Sequence, residues 1–491
     1  MMRSLYSGVS GLRVHQTKMD VIGNNIANVN TVGFKSSSVN FSDVFYQTTQ
    51  SASGPNEATG AAGQNAMQIG LGSSVASITA AITQTGGSQR TDNPFDVMIN
   101  GDAFFIVNSG GTNYFTKAGA FNIDANGTLC TSTGATVMGW GVDDKDPTKT
   151  VAAEVKPLQV MSAKNLFSPP VATTNATVTG NIDNQDTQIQ AGATGRPVSV
   201  NFYDNTGHSY TAELNVIMGT KNDEFHVTVN DITDSNSQSI FSKKSIDAAT
   251  GKETYGASAI TTFTFGGLTY TVAAADINKE TGKVNLKQPT TGFPTIKFDA
   301  ANGKFTGVTP DVTDAKDSFV LDISASPDPF PKLAVDFSTV TMYGKSSSGA
   351  STGTSLSSDR GNKDSIGKGK KVGNLSGINI DNAGKIFGIY DNGDKILLGQ
   401  IATASFANPA GLESVGNSMF AETQNSGEFD GIGQDISANG GKFTTGVLEM
   451  SNVDLSAQFT EMITTQRGFQ ANSRIITTSD TLLEELINLK R

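Results

Sequence analysis

The chain is short of the residues that most often carry chemistry. It has one cysteine, three histidines and one tryptophan among 491 residues, and only 16% of it is charged. The single Cys130 excludes an intramolecular disulfide framework and any cysteine-based metal cluster. His15, His208 and His226 lie far apart, with no cysteine or carboxylate at ligand spacing. The Gly367–Gly373 run, GKGKKVG, fails the phosphate-loop pattern because Gly361 stands one residue too far away and Gly369 takes the Ser/Thr position. No Gly-x-Ser-x-Gly elbow, paired carboxylates or EF-hand spacing occurs. The reading is therefore no enzyme, no metal and no cofactor. A net charge of −11 without a basic stretch argues against nucleic acid. No apolar run approaches the roughly 18 residues of a membrane span. The N-terminal MMRSLYSG lacks the hydrophobic region of a cleaved signal peptide. Those rules put the chain in the cytoplasm, unless it leaves by a route that uses no cleaved signal.

What is abundant points to β structure. Glycine reaches 53 copies, and Ser, Thr and Asn fill much of the chain, which is long enough for about three domains. The two ends differ from the rest. From Ser451 to Arg491 there is no proline and one glycine, Gly468. Leu455, Met462, Phe469, Ile476 and Leu483 recur every seven residues, with Phe459 at the alternate step, the period of a helix stripe that meets another helix. Ile475, Leu482, Leu486 and Leu489 add a second stripe, so this helix needs more than one neighbour. Ser451 with Asp454 predicts a capping box at its start. Leu5, Val9, Leu12, Met19, Ile22 and Ile26 step by threes and fours in a first helix that runs to about Ala27. Burying these stripes alone does not offset the entropy of ordering the two segments. Both ends are therefore expected to be disordered or marginal in the monomer and to become helical against copies of themselves.

Between them lies a nested order. Residues 48–75 are a low-complexity run, read as an extended or mobile connector. Strand signals begin near Val75 and continue through Phe95–Gly101 and Ala103–Val107. The hairpin Phe121-Asn-Ile-Asp-Ala-Asn-Gly-Thr-Leu129 and the later Ile378-Asn-Ile-Asp-Asn-Ala-Gly-Lys-Ile386 look like one hairpin type used twice. Alternation is clear in Val198–Phe202 and Thr211–Val216, with turns at Asn205–Gly207, Thr250–Gly251, Thr281–Gly282 and Asn302–Gly303. Lys345–Asp364 reads as a surface loop or connector. The fold class is mostly β with terminal α-helices. The assignment is helices at 1–30 and 451–491, a connector at 31–75 and 428–450, a discontinuous β domain at 76–145 and 333–427, and an inserted β-barrel or sandwich at 146–332 of one or two modules. Cys130, just after a hairpin turn, is expected to face the core.

The segment Asn24-Asn25-Ile-Ala-Asn28-Val-Asn30-Thr-Val-Gly33-Phe34-Lys35 resembles the N-terminal signature of the bacterial flagellar rod and hook family. Ser451-Asn-Val-Asp-Leu-Ser and Thr465-Gln466-Arg467-Gly468-Phe469-Gln470-Ala471-Asn472 are similar to its C-terminal signature. Asp92–Gly101, Phe104-Phe105 and Tyr114–Gly119 continue the match, and Val200–His208 is similar to the middle domain of hook members. The resemblance implies terminal helices paired as a coiled coil lining an inner tube, with β domains stacked radially outward. It implies a structural hook subunit that self-assembles into a curved, flexible joint passing motor torque to the filament. Implied partners are further copies of the chain, rod, hook-cap and hook–filament junction proteins, and the flagellar type III export apparatus, which would place the protein outside the cell. Phe41 and Phe45 resemble the export-recognition element. Cys130 is the candidate for the subunit crosslink some members carry. A distal rod or other axial protein is the near alternative, disfavoured by the long insertion. A secreted β-rich adhesin is the alternative of another class.

Overall fold

The structure, a computed structural model, describes residues 2–489 except 56–59, 61, 144, 191, 247–251, 289–291, 311–316, 324–329 and 345–352. The Thr250–Gly251 turn and the first part of the Lys345–Asp364 run therefore lie outside the described residues. Two long helices bracket the chain: α1 (Met2–Ala27) and α2 (Leu455–Asn488). The asparagine-rich segment stops α1 as its composition requires. Asn28 Nδ2 donates to the Asn24 carbonyl at 2.9 Å, an alternative to continuing the helix. The start of α2 differs from the expected capping box. Asp454 is the N-cap, accepting from the amides of Ser456 and Ala457, while Ser451 is buried and accepts from Val453. Among the described residues no helix is long and apolar enough to cross a membrane.

The chain divides into two compact units. The first comprises Met1–Leu166, Ser376–Ile389 and Lys395–Arg491. Its main sheet runs in the order Lys395–Ile401, Thr136–Trp140, Phe104–Ser109, Thr112–Thr116, Met419–Ala421 and Glu413–Gly416, each antiparallel to the next. The run Phe104-Phe105-Ile106-Val107 has no polar alternation because both faces are covered. Phe105 and Val107 enter one core with Phe121, Val137 and Phe443, and Phe104 and Ile106 enter another with Phe115 and Trp140.

The second unit comprises Phe167–Leu375 and Tyr390–Asp394. Its six-stranded sheet and its five-stranded sheet, Arg196–Tyr203 to Phe305–Thr309, share one core. Val198, Val200 and Phe202 alternate into that core from one sheet, and Phe263, Phe319 and Val335 reach it from the other. The insertion thus differs from the expected 146–332 and is one module. Leu333–Thr341 and Ser355–Arg360 both pair with Asn175–Asn181, which draws residues 333–375 into the second unit.

The connector assignment needs a similar correction. Ser37–Asp43 pairs with Ser73–Ala80, and Tyr46–Gln50 with Met67–Gly70, so much of 37–80 is paired ribbon. Its cross-strand contacts are largely polar, as between Ser38 and Thr79 or Ser42 and Ser74, which is why the composition looked unstructured. Lys442–Thr445 and Val447–Glu449 likewise pair with Val97–Asn100 and Ser88–Arg90.

Candidate assembly interface

The helix pair is closed by small and polar residues. Ser4 Oγ meets Ser479 Oγ at 3.4 Å, Lys18 reaches Glu461 at 3.5 Å, and Asn25 Nδ2 donates to Gln458 Oε1 at 3.1 Å, an antiparallel register along the whole of α1. Glycines set the approach. A Cβ on Gly11 would stand 2.7 Å from Asn472 Nδ2, and one on Gly468 2.6 Å from His15 Cε1. Gly8 lies against Ile476, and Ile22 is buried. These two apolar residues, read as surface between copies, are thus used inside the chain. His15, edge-on to Phe41, has a lowered pKa from burial, with the Lys18 charge adding to it.

The remaining stripe is left open. At about 100° per residue, Leu5, Leu12, Met19 and Ile26 fall on the flank of α1 beside the seam, and Leu455, Phe459, Met462 and Phe469 on the matching flank of α2. The α1 residues and Met462 are half-buried, while Leu455, Phe459 and Phe469 are exposed, Phe459 by 51%. Val9 and Leu486 are exposed elsewhere on the pair, and Leu483 is half-buried. So wide an apolar face on a helix pair makes this flank the candidate contact surface.

The signature residues fasten the pair to the first unit's sheets. Asn25 is buried, and its amide exchanges hydrogen bonds with both backbone groups of Ser37, at 2.8 and 3.0 Å. Asn28 and Asn24 close the helix end, and Asn30 is exposed. Gly33 has φ 68°, and a Cβ there would stand 2.7 Å from the Ala118 amide nitrogen. Phe34 is half-buried. On α2, Arg467 donates to Gln470 at 3.1 Å, Gln466 and Ala471 are exposed, and Asn472 faces Gly11.

The sequence reading missed the ion pair beneath them. Lys35 Nζ lies 2.7 Å from Glu449 Oε1, both side chains at most 1% exposed, and Lys35 also donates to the Gln84 carbonyl at 2.6 Å. Gly86 N donates to the same Glu449 oxygen, and Asn452 bridges Ser36 to the Ala81 carbonyl. Lys117 is buried nearby, bonded to the Gly101 carbonyl at 2.7 Å above the Phe104 ring. Burial pulls its pKa down to about 8. The clue was a lysine and a glutamate at the inner edges of the two signatures, but their partnership spans 414 positions.

Two other candidates are placed differently. Phe41 is 41% exposed and packs beside His15 and Lys18, and Phe45 is 79% exposed. Cys130 is half-exposed, paired with Asn122 and Thr136, and the neighbouring Leu129 is the residue that fills the core. Burial, with Asp124 adding to it, raises its thiol pKa.

Three family models match this architecture. The flagella basal body rod protein model covers residues 5–35, the flagellar hook protein FlgE/F/G D1 domain 98–196, and the flagellar basal body rod FlgEFG protein C-terminal model 444–489. The chain is 36% identical over 505 residues to the flagellar hook protein FlgE of Borreliella burgdorferi, covering 100% of both chains. It is 35% identical to that of Treponema pallidum, again with 100% of both covered. The flagellar basal-body rod protein FlgG of Bacillus subtilis matches at 27% over 100% of each chain. A rod protein can thus be this long, so the insertion does not exclude that branch; the 36% and 35% identities to the hook proteins of Borreliella burgdorferi and Treponema pallidum stand above that 27%. With the helix pair, the signatures and full-length identity above one third in agreement, the chain belongs to the flagellar hook protein family.

Proposed function

We propose that this protein is the structural subunit of the bacterial flagellar hook, building by self-assembly a curved tube that passes motor torque to the filament. The observation that carries the reading is the apolar flank on which Leu455, Phe459 and Phe469 stand exposed beside the half-buried Leu5, Leu12 and Met19, a surface that a soluble monomer has no use for and a copy of the same chain can cover. The buried Lys35–Glu449 pair would make the helices and first unit one stiff element, while the second unit, with a core of its own, would supply separate contacts. Rod, hook-cap and junction proteins would meet the ends of the polymer. The chain would leave the cell unfolded through the type III apparatus, with Phe41 and Phe45 as the recognition element.

The test is assembly of the full chain followed by sedimentation and electron microscopy. Native protein is expected to give curved tubes. Phe459→Asp is expected to leave a folded monomer, because the side chain touches solvent, yet to abolish the tubes. Tubes of normal length from this variant would defeat the reading.

A further inference from the structure

We infer that a groove between α1 and the strand Ser73–Ala80 receives the C-terminal turns of α2 from a second copy, so that copies join head to tail. The inference rests on the polymer reading above and names the contact that propagates it. The groove measures about 490 Å³ and is lined by Tyr6, Val9, Arg13 and Val14 of α1 and by Ser73–Val75. Tyr6 is 66% exposed and Val9 is also open. Arg13 stands at the groove without an ion-pair partner among the described residues.

The occupant is read from the other end of the chain. Beyond Ser479, which meets Ser4, the ten residues from Asp480 to Leu489 run past the level of Ser4. Leu482, Leu486 and Leu489 are spaced as one stripe there and are 48%, 49% and 83% exposed. Glu485 lies three residues after Leu482 and four before Leu489, at the stripe's edge, and has no ion-pair partner among the described residues. A groove with an apolar floor and a lone cation thus faces a ridge of matching chemistry with a lone anion. The chain cannot fill its own groove. Its α2 is held on the Gly8–Gly11 side of α1, and Val9 projects on the order of 100° away or more. A groove at one site and a ridge at another make a heterologous contact, which extends into an open filament instead of closing as a dimer.

The experiment uses assembled full-length polymer in a Cys130→Ser background. Val9→Cys combined with Leu486→Cys is expected to give an intermolecular disulfide ladder on mild oxidation. Val9→Cys with Thr460→Cys, an exposed α2 position outside both the groove and the apolar flank, is expected to give none. Polymer without a ladder from the first pair, or a ladder from the second, overturns the inference and leaves the polymer reading standing. Absence of polymer from the native chain would bring down both. Independently, Arg13→Glu is expected to lower the sedimenting fraction by about tenfold or more, through like-charge contact with Glu485. Adding Glu485→Arg should restore it, and a double variant no better than the single one counts against the contact.

Discussion

The second unit and the helix pair solve the same problem in opposite ways. Within the second unit Phe225, Phe241, Phe263, Phe265, Phe319 and Phe337 are all at most 1% exposed, so its aromatic core is closed within one chain. In the helix pair the seam is made of Ser4, Gly8, Gly11, Gly468 and Ser479 with Ile22 and Ile476, while Leu455, Phe459 and Phe469 are left outside. One region spends its hydrophobic surface on stability; the other reserves it. The lesson is that an apolar stripe read from spacing does not say which side of a helix its intramolecular partner takes. Here small residues took the inner side.

Several changes should break or sharpen this contrast. The largest stability loss is expected from Glu449→Ala, which leaves the Lys35 ammonium buried without its counter-charge. Breaking such a pair typically costs about 3–5 kcal/mol, and calorimetry should show the first unit melting earlier with the second unchanged. Gly11→Leu should cost about 1–3 kcal/mol by overpacking the seam against Asn472, read as a lower melting point of the helical dichroism signal.

Acid should separate the two regions by sign. His15 has a lowered pKa in the folded pair, so the unfolded chain binds the extra proton first and helix-pair stability falls as pH drops below about 6.5. His15→Asn should remove that slope. In the second unit burial raises the pKa of Asp231 to about 6, so its contribution grows as pH falls from there towards the ordinary carboxylate value. His226, lowered by burial, opposes it, as do the lowered carboxyls of Asp186, Asp204, Asp276, Asp391 and Asp394 at more acid pH, so the trend is read as the difference between His226→Asn with and without Asp231→Asn.

The smallest effect concerns a turn. Asp234 accepts from the amides of Asn236 and Gln238, and Ser237 is forced to φ 59°. Ser237→Gly should stabilise the second unit by about 0.5 kcal/mol, less than the roughly 1–2 kcal/mol left-handed penalty because glycine costs entropy. A small rise in the chemical-denaturation midpoint checks it.

That turn also marks what was legible in advance. Asp124 accepts from the amides of Asn126 and Thr128, and Asp381 from those of Ala383 and Lys385, so the two similar hairpins do share one hydrogen-bond pattern. Such turns are local, and an aspartate followed three residues later by glycine specifies them. The end of α1 at its asparagines and the alternation at Val198–Phe202 were readable for the same reason. The polar ribbon of 37–80 was not, because Ser, Thr and Gln in cross-strand pairs leave no apolar alternation. Nor was the boundary of the second unit, which depends on Asn175–Asn181 choosing partners some 160 residues away. At the interface, spacing found the stripes, while the glycines that decide which residues stay outside carried no periodic signal.

The antiparallel register of α1 against α2 has a temporal consequence. A chain made or threaded head first presents α1 long before anything exists for it to lie on, since Ser4 waits for Ser479 and Lys35 for Glu449. Closure of the first unit must therefore come last, after the final turns arrive, whereas the second can be finished while the tail is still on its way. The molecule cannot complete its adhesive surface until its whole length has been delivered.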